Sequence, residues 1–220
     1  MTWQRWTKYL TAIPFAYWVY LMAIKSWSYT SFHPEEGFLI AKRHLADNLW
    51  YLIPFYVHAF SSVFVLILGA AQFSTTLMIK APRFHRIIGS TYLILVLFIS
   101  GPSGLMIAPY ANGGLSPSVA FSLQGILWML MTALAWWYIR HRRVKLHGKF
   151  MLRSFALAAG AVSLRLYAKV FLDWFGTHPI ETYLTTSWLS WVGNLIFAEC
   201  LIVLGFMSSF LTDSSDSTST

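Results

Sequence analysis

The sequence predicts an all-α fold: a polytopic bundle of six transmembrane helices with the N-terminus and C-terminus cytoplasmic. Three observations predict it: a hydropathy rhythm, the composition and the placement of charge. Six long apolar stretches rich in Leu, Ile, Phe and Trp alternate with short segments that hold nearly all the charge. A run of about 20 apolar residues spans the hydrocarbon core as a helix, because a helix satisfies every backbone polar group where water is absent. Of the 220 residues, 57% are hydrophobic and only 11% are charged, which excludes an ordinary soluble domain.

The first span is expected at 9–29, after Arg5 and Lys8. It carries Tyr17, Trp18 and Tyr20 and lacks a small-residue cleavage pattern, so it reads as an uncleaved span and not as a signal peptide. The connection 30–49 contains His33-Pro34-Glu35-Glu36-Gly37, then Leu39, Ile40, Leu45 and Leu49 interleaved with Lys42, Arg43 and Asp47. That pattern predicts a short amphipathic helix on the outer interface. The second and third spans are expected at 52–78 and 87–108, with Pro102, between Gly101 and Gly104, kinking or opening the third. The fourth span is expected at 118–138 and the fifth at 150–172. Ala156, Ala158, Ala159, Gly160 and Ala161 let neighbours approach the fifth closely, which predicts that it is central. The sixth span is expected at 185–210, and the Ser/Thr/Asp-rich tail 212–220 is too polar to fold. Residues 1–211 are thus expected to form one membrane domain.

Charge position orients the bundle. Lys80, Arg83 and Arg86 follow span two, and Arg140, Arg142, Arg143, Lys145, Lys149 and Arg153 crowd the connection after span four. The alternate segments hold Glu35, Glu36, Asp47, Asp173 and Glu181 with few cations. The basic segments are therefore expected to face the cytoplasm of a bacterial inner membrane, where they meet anionic lipid. A net charge of +8 so distributed is a topology signal, and no nucleic acid is expected as a partner. The single cysteine, Cys200, excludes disulfides, Cys-based zinc sites and iron–sulfur clusters within one chain.

Chemistry is sought among the few polar groups that lipid makes expensive. At about 1.5 Å of rise per residue they fall into two layers. An outer layer holds His58, Gln124, Arg165 and Asn194, and an inner layer holds His85, Arg86, His147, Arg153 and Glu199. Arg165 stays protonated, so it needs an acceptor or an anionic ligand. Either it pairs with Glu199 and ties spans five and six, or it contacts an anion, a quinone or a haem propionate, or Glu199 serves a proton path. His85 and His147 share a depth; either they converge on haem b, another metal or one anionic head group, or they snorkel beside basic neighbours. His58 has no second histidine at its depth, although Gln124 lies near that level. His33, His44, His141 and His178 sit in polar connections and are not expected to be ligands. No H-E-x-x-H, P-loop, G-x-S-x-G or dinucleotide motif is present.

Four strings carry a resemblance: His85-Arg86-Ile87-Ile88-Gly89-Ser90-Thr91-Tyr92; His147 through Ala156, with Met151, Arg153 and Ser154; Ser163-Leu164-Arg165-Leu166-Tyr167; and Trp191-Val192-Gly193-Asn194 through Ala198-Glu199. With Gly69-Ala70-Ala71-Gln72-Phe73, they resemble a family of predicted bacterial inner-membrane proteins known only as a membrane domain of unknown function. The similarity runs from about His58 to Leu201. It implies an architecture and a set of positions to test, namely His58, Gln72, His85, Arg86, His147, Arg153, Arg165, Asn194 and Glu199, and supplies no reaction. The layout is also distantly similar to transmembrane cytochromes b, although only one histidine lies well inside a span.

Two functional expectations follow. One is a haem- or quinone-associated redox protein, with His85, His147 or His58 at haem b and Arg153 or Arg165 on a propionate or quinone. The other is a non-catalytic protein, such as a small-solute or lipid-handling permease or an assembly factor.

Overall fold

A computed structural model describes residues 3–33 and 37–205, with side chains from residue 16 onward. The expectations for Pro34, Glu35, Glu36 and the tail 212–220 fall outside the described residues. Among those residues every regular element is helical. The long helices are α1 (Trp3–Ser28), α2 (Leu49–Ala71), α6 (Leu115–Arg140), α7 (Val144–Phe175) and α8 (Pro179–Val203). Short α3 (Thr75–Lys80), α4 (Pro82–Ile94) and α5 (Gly101–Ile107) lie between α2 and α6.

Among the described residues, five stretches are long and apolar enough to cross a membrane: Leu49–Ala71, Pro82–Tyr110, Leu115–Arg140, Val144–Phe175 and Pro179–Val203, and α1, described with side chains only from residue 16, is not one of them. The expected second span, 52–78, breaks early. Helix α2 stops at Ala71, and Ser74 starts α3 by accepting a hydrogen bond from the Leu77 amide at 3.2 Å. Hydropathy continues through that turn, so it hides a boundary set by a single hydroxyl cap. The last helix begins at Pro179, before the expected 185, and the described helix ends at Val203.

Pro102 acts one turn upstream of itself. It has no N–H to donate, and the strain is absorbed by a π-helical stretch at Leu95–Ser100, where the Gly101 amide bonds to Val96 O, five residues back. Helices α4 and α5 with this stretch make one continuous span, Pro82–Tyr110.

As expected, α7 is central: it packs along α6 and α8 and touches α1 and α2. Leu157, Ala158 and Val162 of α7 form the core with Val65, Leu66, Tyr92, Val96, Trp128 and Trp191. A chain of buried hydroxyls ties three helices. Thr132 donates to Trp128 O at 2.7 Å, so Ser154 must donate to Thr132 at 2.6 Å and Tyr92 to Ser154 at 2.7 Å. Tyr92, Ser154 and Thr132 are all fully buried, and each hydroxyl proton has an acceptor, which is the condition for burying such groups in lipid.

The two ends of the bundle differ. The basic end gathers the connections at Lys80–Arg86 and Arg140–Lys145. The opposite, aromatic end is capped by the chain after α1. In place of the expected amphipathic helix there are two 3-10 stretches, Tyr29–Ser31 and Gly37–Leu45, the second broken at Lys42 (φ −125°, ψ 23°). Leu39 buries as the pattern requires, and Lys42, at the break, is buried too. Tyr29 and Tyr51 pack on Phe55 at 5.1 and 5.9 Å between ring centroids. These rings form a roof over the helices below, with Phe32 against Tyr56 at 5.0 Å.

Candidate functional site

Under that roof lies a cavity of about 250 Å³ between α2, α5, α6, α7 and α8. Three of the four residues expected in the outer layer converge on it: His58, Gln124 and Arg165. Asn194 does not. It instead pins α8 to α7, accepting from Ser163 Oγ at 2.9 Å and donating to Ala156 O at 3.1 Å.

The π-helical stretch sets the state of His58. Its imidazole Nδ1 lies 2.9 Å from Ser100 O, and a carbonyl only accepts, so Nδ1 carries the proton. In the neutral ring Nε2 then keeps its lone pair as an acceptor. Ser62 donates to His58 O at 2.6 Å, so the Ser100 hydroxyl donates to Ser62 at 3.1 Å. Gly104 makes room: a Cβ there would sit 2.9 Å from His58 Cε1. Gly160 does the same for Gln124, whose amide donates to Leu157 O at 3.0 Å, since a Cβ at 160 would lie 2.7 Å from Gln124 Nε2. The Gln124 carbonyl oxygen remains an acceptor.

Arg165 donates one N–H to Ala161 O at 2.8 Å on its own helix. It is exposed and lines the cavity. The ionisable groups acting on it are Tyr29, Tyr183 and His58, and among the described residues no carboxylate pairs with it. The expected Arg165–Glu199 pairing does not form. Glu199 is taken by Arg153, whose Nε and Nη2 reach the two carboxylate oxygens at 2.5 and 2.9 Å. A bidentate fork on an arginine at the same depth outcompetes a single long reach from Arg165. Phe150 stacks beneath the Arg153 guanidinium at 4.8 Å.

The inner layer sits at the basic end. His147 Nδ1 donates to Ala135 O at 2.8 Å, leaving Nε2 with its lone pair. His147 acts electrostatically on His85, whose Nδ1 is buried with no hydrogen-bond partner among the described residues. Gln72, expected as a site residue, is buried and donates to His85 O at 3.4 Å. Arg86 is exposed. His33, His44, His141 and His178 are exposed as well.

A family model described as a predicted membrane protein (DUF2306) matches residues 55–202, more than half of the chain. The chain belongs to this family. No curated protein and no solved structure matches significantly. The stretch matched to DUF2306 runs from within α2 to the end of α8 and contains His58, Gln124, Arg165 and the inner layer. The aromatic roof over the cavity, from Tyr29 to Tyr51, is supplied by the chain that precedes the DUF2306 match.

Several cavity residues had no signal in the sequence. They are Tyr51, Tyr110, Tyr183, Ser62 and Ser100. The one usable hint was Gly101-Pro102-Ser103-Gly104, where a proline and two glycines in one span point to an irregular backbone.

Proposed function

We propose that this DUF2306 protein is a six-span protein of the bacterial inner membrane, with the basic end in the cytoplasm. Its cavity holds one amphipathic small molecule, so that it acts as a lipid- or quinone-handling protein. The observation that carries the reading is the convergence of His58, Gln124 and Arg165 on one otherwise apolar cavity. Polar groups cost several kcal/mol each when left idle in a membrane interior, and here three border one cavity, each with hydrogen-bonding capacity beyond its one backbone contact. At about 250 Å³ the cavity is smaller than the roughly 300–1,000 Å³ that buries a whole drug-sized ligand, so it suits a headgroup whose chain leaves between helices. A haem macrocycle does not suit it, on size and because His58 is its one histidine.

The test is recovery of the occupant. Purified protein, gently solubilised, is extracted and analysed by mass spectrometry beside an Ala161→Phe variant, whose ring fills the cavity. The wild type is expected to carry an amphiphile in stoichiometric amount and the variant to lose it. A wild type that carries none, and that no added amphiphile stabilises, refutes the reading.

A second reading concerns haem b at the basic end. It is favoured by the orphaned His85 Nδ1 beside His147, whose ring is held by Ala135 O with Nε2 left over, an arrangement common to ligating imidazoles. Those two residues would hold the iron, and haem would supply one-electron chemistry. Absence of a Soret band after expression with haem precursor rules it out.

A further inference from the structure

We infer that the headgroup taken by the cavity is an oxygen-based anion, a carboxylate or phosphate borne on a single apolar chain, with Arg165 as its main contact. This rests on the cavity being an amphiphile site and narrows what enters it. Charge decides the class. Arg165 is ionised at any accessible pH, and among the described residues none that lines the cavity is Asp or Glu. The ion pairs Arg153–Glu199 and Lys169–Asp173 leave Arg165 out. A cation held in a low-dielectric space without a counter-charge is costly, and an anion removes that cost while a neutral quinone does not.

Donor geometry agrees. One guanidinium N–H is spent on Ala161 O, which fixes the side chain against its own helix, and the planar fork that remains matches two oxygens of a carboxylate or phosphate. His58 Nε2 and the Gln124 carbonyl are acceptors, so they take a headgroup hydroxyl, or the acidic O–H of a phosphate monoester, and repel a second negative oxygen. The set therefore selects a monoanion. The walls are mostly apolar, with Phe55, Phe121, Trp128 and Leu157, and the other polar groups there are neutral hydroxyls, with no second cation to hold a second anionic headgroup. The volume admits a head and the start of one chain, which makes a free inorganic anion a poor fit and a diacyl lipid too bulky.

The experiment uses the full chain in a nonionic detergent, with thermal stability as the binding readout. Four probes are compared: dodecyl phosphate, dodecanol, decylubiquinone and inorganic phosphate. Dodecyl phosphate is expected to stabilise the wild type saturably. Dodecanol and decylubiquinone should bind at least about tenfold more weakly, the loss of one strong charge-assisted contact. Arg165→Met should weaken dodecyl phosphate by at least the same factor and leave dodecanol unchanged, whereas Arg165→Lys, which keeps the charge and loses the fork, should fall between wild type and Arg165→Met. Equal binding of dodecyl phosphate and decylubiquinone overturns the anionic headgroup and leaves the amphiphile site standing. Inorganic phosphate binding as tightly as dodecyl phosphate overturns the lipid source in favour of a free anion. Stabilisation by no probe, with no amphiphile recovered from the wild type, overturns both. The comparison of probes on the wild type decides the matter even if Arg165→Met fails to fold.

Discussion

Gly104→Ala is the sharpest probe of how the backbone poises His58. The added Cβ would lie 2.9 Å from His58 Cε1 and 3.0 Å from Nδ1, where ordinary contact begins at 3.4 Å. The imidazole must therefore retreat by about 0.5 Å, the difference between 3.4 and 2.9 Å. Its Nδ1–Ser100 bond, now 2.9 Å, then stretches towards or beyond the roughly 3.2 Å limit for N–H···O bonds. Losing that bond costs ~1 kcal/mol, and overpacking adds a further ~1–3 kcal/mol before relaxation. Because Ala is the better helix former by about 1 kcal/mol, the net destabilisation should be ~1–3 kcal/mol. The assay is the unfolding free energy in bicelles by steric trapping, for Gly104→Ala, His58→Ala and the double variant. With the ring gone the added methyl has nothing to strike, so Gly104→Ala should cost nothing in the His58→Ala background. A Gly104→Ala penalty of the same size in both backgrounds, within the ~0.5 kcal/mol expected of independent sites, would refute the coupling of Gly104 to His58.

Other expectations follow from the same contacts. Ser154→Ala should destabilise more than Tyr92→Phe, because it strands the buried Tyr92 hydroxyl, whereas Tyr92→Phe leaves Ser154 still donating to Thr132. The gap should be ~1 kcal/mol in the same unfolding assay, and an inverted order would contradict the donor assignment. A double-mutant cycle on Arg153→Met and Glu199→Gln should yield a coupling of about 1 kcal/mol, held down by solvent because the Glu199 side chain is 45% exposed, while Arg165→Met with Glu199→Gln should yield none. For orientation, in a Cys200→Ser background, a membrane-impermeant maleimide should label Thr177→Cys in intact spheroplasts and Arg142→Cys only after lysis. The reverse pattern would invert the topology.

Much of the fold is legible in the sequence because lipid imposes a local rule. Each of the five apolar spans is long enough by composition alone, and the small residues of α7 announce its central place. The grouping by depth also survives, since rise per residue fixes height: His58, Gln124 and Arg165 do share a cavity. What depth cannot carry is rotation about the helix axis. Asn194 lies at the right height and faces Ser163 and Ala156 instead of the cavity.

The choice of partner for Glu199 makes the same point. Arg165 could meet it only by a long reach inward, and the facing of α7 and α8 gives it to Arg153, in a two-pronged geometry. That choice leaves Arg165 with no carboxylate partner among the described residues. The end of α2 at Ala71 and the π-helical stretch before Pro102 likewise depend on hydrogen bonds that hydropathy does not register.

The sequence by itself thus determined that the chain is a membrane-spanning helical protein and which few polar groups must answer for themselves there, because the cost of burying charge in lipid is paid residue by residue. Only the tertiary structure decided which of those groups satisfy one another and which face a cavity, because that depends on how neighbouring helices are rotated and how closely Gly104 and Gly160 let side chains approach.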